Sequence, residues 1–270
     1  MAPRDLYTHA IMTRFNLATP GREKAIRNQP GWLDERLDLF ERFCLPSVAA
    51  QDNRAFSWII YFDVETPPTS RSRIEELRKL FPFHAYYTGL FPAEGWPRSI
   101  REVLAPTTPL FLSTTLDNDD ALATDHVGRL QEHVAALGHA PGAYNFTNGL
   151  IRRGSSLYEI RHPSNAFFSW LEPNGPALRT APSIRHMSIA SEGPVHQIGG
   201  PPGWMQIVHG SNVSNKVRGR RVQPKAAEGR FTAEVCEDLV PARPSSVLAE
   251  NLLLAPVRSF RDQLVNFLRG

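Results

Sequence analysis

A chain of 270 residues can bury one substantial core without disulfide or metal staples, and 41% hydrophobic against 21% charged residues excludes a disordered or fibrous chain. A net charge of +3, with no recognition-helix or base-stacking pattern beside it, argues against sequence-specific nucleic-acid binding. No apolar run approaches the roughly 18 residues needed to span a bilayer, and the opening MAPRDLYTHAIMTRF lacks a signal-peptide core, so the expected compartment is the cytosol, where Cys44 and Cys236 would be free thiols.

The first element, YTHAIMTRFN, reads as a strand ending in Thr13, Arg14 and Asn16. GWLDERLDLFERFCLPSVAAQ follows with Leu33, Leu37, Phe40 and Cys44 at helical spacing and Pro46 near its stop. FSWIIYFD is almost continuously apolar before Asp63, the pattern of a strand covered on both faces. After a Pro-rich turn come a helix, RIEELRKLF, a short strand, FHAYYT, a short helix near residues 98–104 and the strand PLFLSTTL. Strands alternating with helices predict an α/β fold with a Rossmann-type, mostly parallel central sheet.

The helix TDHVGRLQEHVAAL comes next, and then the character changes. AYNFTNGLIRRGSSLYEI predicts a hairpin turning at Arg153, Gly154 and Ser155. NAFFSWLE predicts a short apolar helix, and IRHMSI and WMQIVH predict strands. The segment NKVRGRRVQPKAAEGR, residues 215–230, is basic, and a helix is expected from about Ser246 to Leu268. This half is expected to be antiparallel and rich in loops. The basic segment suits either a solvated loop or contact with a phosphate-bearing ligand or an anionic membrane surface.

Ligands of open parallel sheets bind beyond the carboxyl ends of the strands. Here those ends carry Arg14 and Asn16, Asp63, the run Asp117-Asn118-Asp119-Asp120, and His209. On an extended backbone Asp117 and Asp119 share a side, and a divalent cation would relieve their repulsion. Magnesium or manganese suits carboxylate oxygens and is commonly completed by substrate phosphates. The same acidic run also suits a turn and the start of the next helix. Arg14 equally suits an internal ion pair, Asp63 the start of a turn, and His209 a buried histidine bonded to backbone.

The ordered series TRFN, LFERFCLPSVAAQ, FSWIIYFDVETP, TTLDNDDAL, SNAFFSWLE and WMQIVHGSNVSN resembles the putative rhamnosyltransferase family of bacterial glycosyltransferases, over most of the chain up to the basic segment. The resemblance implies a GT-A-like fold in one domain. Residues to about 125 would form the nucleotide-binding half, about 126–215 the acceptor half, and about 216–270 the basic loop and last helix.

The resemblance also implies that Asp117 and Asp119 hold Mn2+ or Mg2+ against the diphosphate of a nucleotide-sugar donor, with His209 as third ligand. Arg14, Asn16, Asp63, Asn118 and Arg152 would serve the donor, Asn212 and Asn215 would cap loops or touch the diphosphate, and Trp170 and Trp204 would stack on sugars or fill the core. An inverting reaction requires a base for the acceptor hydroxyl, with Glu172 the first candidate and Asp120 the second. The acceptor would be a glycan or a small molecule, with peripheral membrane contact through residues 216–230. A non-catalytic glycan- or partner-binding scaffold and a metal-dependent phosphotransferase or hydrolase are the competing readings.

Overall fold

The computed structural model describes residues 6–17, 27, 29–89, 95–210 and 217–267. The first half alternates as expected: β1 (Tyr7–Arg14), α1 (Trp32–Leu39), a π-helical turn (Phe40–Cys44), α2 (Leu45–Ala49), β2 (Ser57–Asp63), α3 (Pro68–Leu80), β3 (His84–Thr88), α4 (Gly95–Val103) and β4 (Leu110–Thr115). The π turn interrupts what the sequence reads as one helix. Pro46 supplies no N–H for the carbonyl of Arg42, and Leu45 instead donates back to Phe40.

The chain continues through β5 (Ala121–Leu122), α5 (His126–Ala136), β6 (Gly142–Phe146), β7 (Asn148–Arg153), β8 (Ser156–Arg161), β9 (Ser169–Pro173), α6 (Ile189–Glu192), β10 (Val195–Ile198), β11 (Trp204–Val208), β12 (Arg220–Val222), α7 (Ala233–Cys236) and α8 (Pro244–Phe267). Seven strands form the central sheet in the order β10-β6-β9-β4-β1-β2-β3, and five form a second sheet, β12-β8-β7-β11-β5. In the central sheet only β9 runs against its neighbours, so six strands aim their carboxyl ends at one edge. The mostly parallel sheet, flanked by helices and joined to a mixed sheet, is the α/β architecture that the alternation of strands and helices predicts.

Alternate residues of the central strands fill two cores. Ile11, Trp58, Ile60, Phe62 and Leu112 pack with Leu37 and Phe40 on one face. Ala10, Met12, Ile59, Tyr61 and Phe111 pack with Trp96 and Ile100 of α4 on the other. Two covered faces are why these strands read as unbroken apolar runs.

Three expectations are corrected. NAFFSWLE is not a helix: Ser169–Pro173 is strand β9, inserted between β4 and β6. An apolar run this short carries no period that separates the two states, and burial in the sheet decides. IRHMSI is not a strand but a 3-10 turn, His186–Ser188, leading into α6, anchored by buried Ile184 and Ile189. The expected hairpin is divided, because AYNF belongs to the central sheet and only β7 and β8 pair around Gly154. Strands β6, β9 and β10 thus complete the sheet begun by the first half.

The second sheet depends on one close approach. A Cβ on Gly149 of β7 would lie 2.1 Å from the Trp204 ring. That ring is stacked on Phe167 at 4.7 Å and donates to the carbonyl of Phe146 at 2.9 Å, so it cannot withdraw. Gly149→Ala is expected to cost about 1–3 kcal/mol of stability, read as a lower urea midpoint at constant m-value. An unchanged midpoint would show that the ring gives way.

Candidate functional site

At the carboxyl ends of β1 and β2, side chains bond the two strand ends together. Asn16 accepts from the Asp63 backbone N–H at 3.1 Å and donates to Thr66 at 3.1 Å. Asp63 accepts from the Glu65 N–H at 2.9 Å through one oxygen and pairs with Arg27 at 3.1 Å through the other. Arg27 also donates to the Asn16 carbonyl at 3.0 Å. Asn16, Arg27, Asp63 and Trp32 line a cavity of about 350 Å³ at this edge. Arg14, at the end of β1, has an exposed side chain, and its carbonyl accepts from Asn118.

The acidic run after β4 is a turn and not the extended strand end that the two-residue alternation assumes, with Asn118 and Asp119 at the bend. Asn118 donates to the carbonyls of Arg14 at 3.1 Å and Phe15 at 2.9 Å, which ties the bend to the end of β1. Asp117 is exposed, whereas Asp119 is 4% and Asp120 1% exposed. The three carboxylates are therefore in different environments.

Strand β11 delivers His209 to this bend. Antiparallel pairing of Met205 with Ala121 runs β11 back past the residues preceding β5. The Ile207 N–H donates to Asp120 at 2.7 Å, and His209 Nε2 lies 2.7 Å from Asp119 Oδ2. The same Asp119 oxygen meets the guanidinium of Arg36, from α1, at 2.5 Å. Burial raises the pKa of Asp119, but the His209 hydrogen bond and the Arg36 charge outweigh it and hold the carboxyl below its ordinary value.

Asp120 is the opposite case. Burial first, then the charges of Asp119 and Asp117, push its pKa well above the usual carboxylate range. Its Oδ2 is buried without a hydrogen-bond partner among the described residues. Burial and the same carboxylates also raise the Cys44 thiol well above its ordinary value, so this free cysteine is an inert neighbour of the turn.

Two nominated residues are bonded into other parts of the structure, Glu172 at the opposite end of β4 and Arg152 at the end of α7. Glu172 pairs with Phe111 at the beginning of β4, six residues or roughly 20 Å of strand from Asp117. Its carboxylate instead accepts the backbone N–H groups of Arg179 and Thr180, the latter at 2.7 Å. Arg152 is spent on the end of α7, donating to the carbonyls of Val235 and Glu237 over the Phe43 ring. Trp204 is core, and Trp170 is buried against the chain at Ile184 and Ile189. Asn212 and Asn215 lie outside the described residues. Within the basic segment, Arg221 of β12 pairs with Glu250 of α8 at 2.8 Å.

Arg36, Arg27 and Trp32 are site residues that the sequence reading missed. Arg36 had a legible signal: it lies at position i+3 from Leu33 and i−4 from Phe40, inside the apolar stripe of its helix. A charge on that stripe requires a buried anion. Among the described residues no group of three His, Cys, Asp or Glu side chains is gathered as a metal cage. The donor chemistry nevertheless suits a hard divalent cation, because an Asp119 oxygen and a His209 nitrogen already converge with Asp117 exposed beside them.

A family model described as Putative rhamnosyl transferase matches residues 8–221. The chain belongs to that family. Among solved structures it is similar to residues 1–349 of S. aureus TarS at 8% identity and TM-score 0.45, covering 74% of this chain and 60% of that one. The same TarS fragment in complex with UDP matches at 9% identity and TM-score 0.45, with the same coverage. A crystal structure described as a putative nucleotide-diphospho-sugar transferase from Desulfovibrio desulfuricans G20 matches at 10% identity and TM-score 0.35, covering 74% of this chain and 80% of that one. The chain thus spans three fifths of the TarS fragment. No curated protein matches the sequence.

The Asp120 environment has a testable sign. In the unfolded chain Asp120 ionises near its ordinary value of 3.8, whereas the native carboxyl keeps its proton to higher pH, so raising pH between the two favours unfolding. The stability of Asp120→Asn relative to wild type, measured by urea unfolding in EDTA, should increase as pH rises above 3.8 and level off once the native acid ionises. A difference independent of pH would refute a protonated native Asp120.

Proposed function

We propose that the chain is a metal-dependent glycosyltransferase that moves a sugar, rhamnose by its family, from a nucleotide donor to a hydroxyl of a glycan or small acceptor. One observation carries this reading: the cavity at Asn16 and Asp63 and the Asp119–His209 pair share one edge of the sheet, joined by α1. Trp32 of that helix walls the cavity and Arg36 of the same helix reaches Asp119. A nucleoside in the cavity directs its diphosphate toward the acidic turn.

Asp119 and His209, with Asp117 beside them, would hold Mn2+ or Mg2+. When bound, such an ion supplies positive charge for the diphosphate leaving group. The chain's own contribution is placement. The bonded Asn16, Asp63 and Arg27 group fixes the cavity wall, and Asn118 fixes the turn against β1. The acceptor proton needs a base at this edge; the Glu172 oxygens are committed to a distant loop, and Asp120 is closed off from solvent.

Among the described residues no helix is long and apolar enough to cross a membrane. Peripheral contact with anionic lipid belongs to the same proposal, supported by the exposed Arg220 and Lys225.

A thermal-shift screen against UDP, GDP, dTDP and CMP, each with manganese or with EDTA, tests the reading. One nucleotide at a hundredfold excess over its Kd should raise Tm by about 5 °C in a manganese-dependent way. Asp119→Ala should lose that increment relative to its own ligand-free Tm. A full manganese-dependent increment in Asp119→Ala would sink the metal assignment, and no increment with any nucleotide in wild type would weigh against the donor site.

A further inference from the structure

We propose that Arg36 is a diphosphate-binding residue, which leaves the Asp119 carboxylate for the donor when the site is loaded. The inference rests on the function proposed above and adds a residue that neither the family motifs nor the strand ends supplied.

Arg36 is 8% exposed and stands between the two parts of the site. One helical turn before it, Trp32 walls the cavity, and the guanidinium lies 5.3 Å from that indole ring. On its other side the same guanidinium meets Asp119 at 2.5 Å and Asn118 at 3.4 Å. A donor whose nucleoside fills the cavity and whose metal sits at Asp119 must pass its diphosphate across the ground that Arg36 occupies.

The charges give the reason for the exchange. In the free protein a buried carboxylate needs a cation, and Arg36 supplies it. Were Asp119 to hold a divalent ion, its carboxylate would no longer need Arg36, and the Arg36 guanidinium would need an anion of its own. The diphosphate brings that anion. The planar fork of arginine matches its oxygens in a way that a lysine ammonium cannot.

The test uses the full chain and its Arg36→Gln and Arg36→Lys variants. Manganese alone is titrated by electron paramagnetic resonance, and inorganic pyrophosphate is titrated by calorimetry with manganese present. In Arg36→Gln, manganese alone should bind as tightly as in wild type or more tightly, while pyrophosphate affinity falls at least tenfold. Arg36→Lys, which keeps the charge and loses the fork, should fall between. Undiminished pyrophosphate affinity in either variant overturns the assignment. Parallel loss of manganese and pyrophosphate binding in both variants, or failure of both to fold, also overturns it and leaves Arg36 as a structural counter-ion of Asp119. A wild-type chain that binds no pyrophosphate with manganese fails the metal-site reading itself, whereas wild-type binding retained in the variants fails Arg36 alone.

Discussion

A carboxylate with 4% of its surface exposed is the constraint around which this site is built. Taking the Asp119 charge out of water costs several kcal/mol unless cations and donors surround it. Two of its partners come from parts of the chain far apart in sequence: Arg36 from α1 and His209 from the end of β11. Satisfying that one oxygen therefore brings α1, the turn after β4 and the second sheet to a common point. Asp120, one residue on, has no such cation at hydrogen-bond distance among the described residues and is driven toward its neutral form. Adjacent residues of the same type thus reach opposite protonation tendencies through their surroundings alone.

Holding that point steady falls to buried amides and hydroxyls. Asn118 fastens the turn to the carbonyls of Arg14 and Phe15. Gln51 donates to the carbonyls of Ser47 and Ala123 and accepts from the Val127 N–H, while Ser47 accepts from Leu122. Together these bonds hold the two-residue strand β5 against α2, and β5 and β7 pair with the two sides of β11, the strand that ends at His209. A strand this short contributes little ladder of its own, so side chains supply the bonds that the backbone lacks.

Glu172 shows how a plausible functional residue can be structural. Its carboxylate anchors the loop at Arg179 and Thr180, and Thr180 has a positive φ of 76° that a threonine rarely adopts. Two backbone N–H groups bound to one carboxylate offset part of the cost of that conformation. A glutamate preceding a proline at the end of an apolar run offers no local sign of this duty. The sign lies in its partners, which are seven and eight residues further along the chain.

The sequence by itself determined the alternation of strands and helices, the covered faces of β1, β2 and β4, the collection of polar residues at their carboxyl ends and the family resemblance. These are local properties, written in apolar periodicity and in strand-end composition. Tertiary structure alone decided that NAFFSWLE pairs as a strand, that the 117–120 run bends at Asn118, that β11 belongs to a second sheet, and that Arg36 and His209 meet on one oxygen of Asp119. Each of these depends on which elements become neighbours in space, and the packing free energy that selects those neighbours is spread over residues tens to hundreds of positions apart.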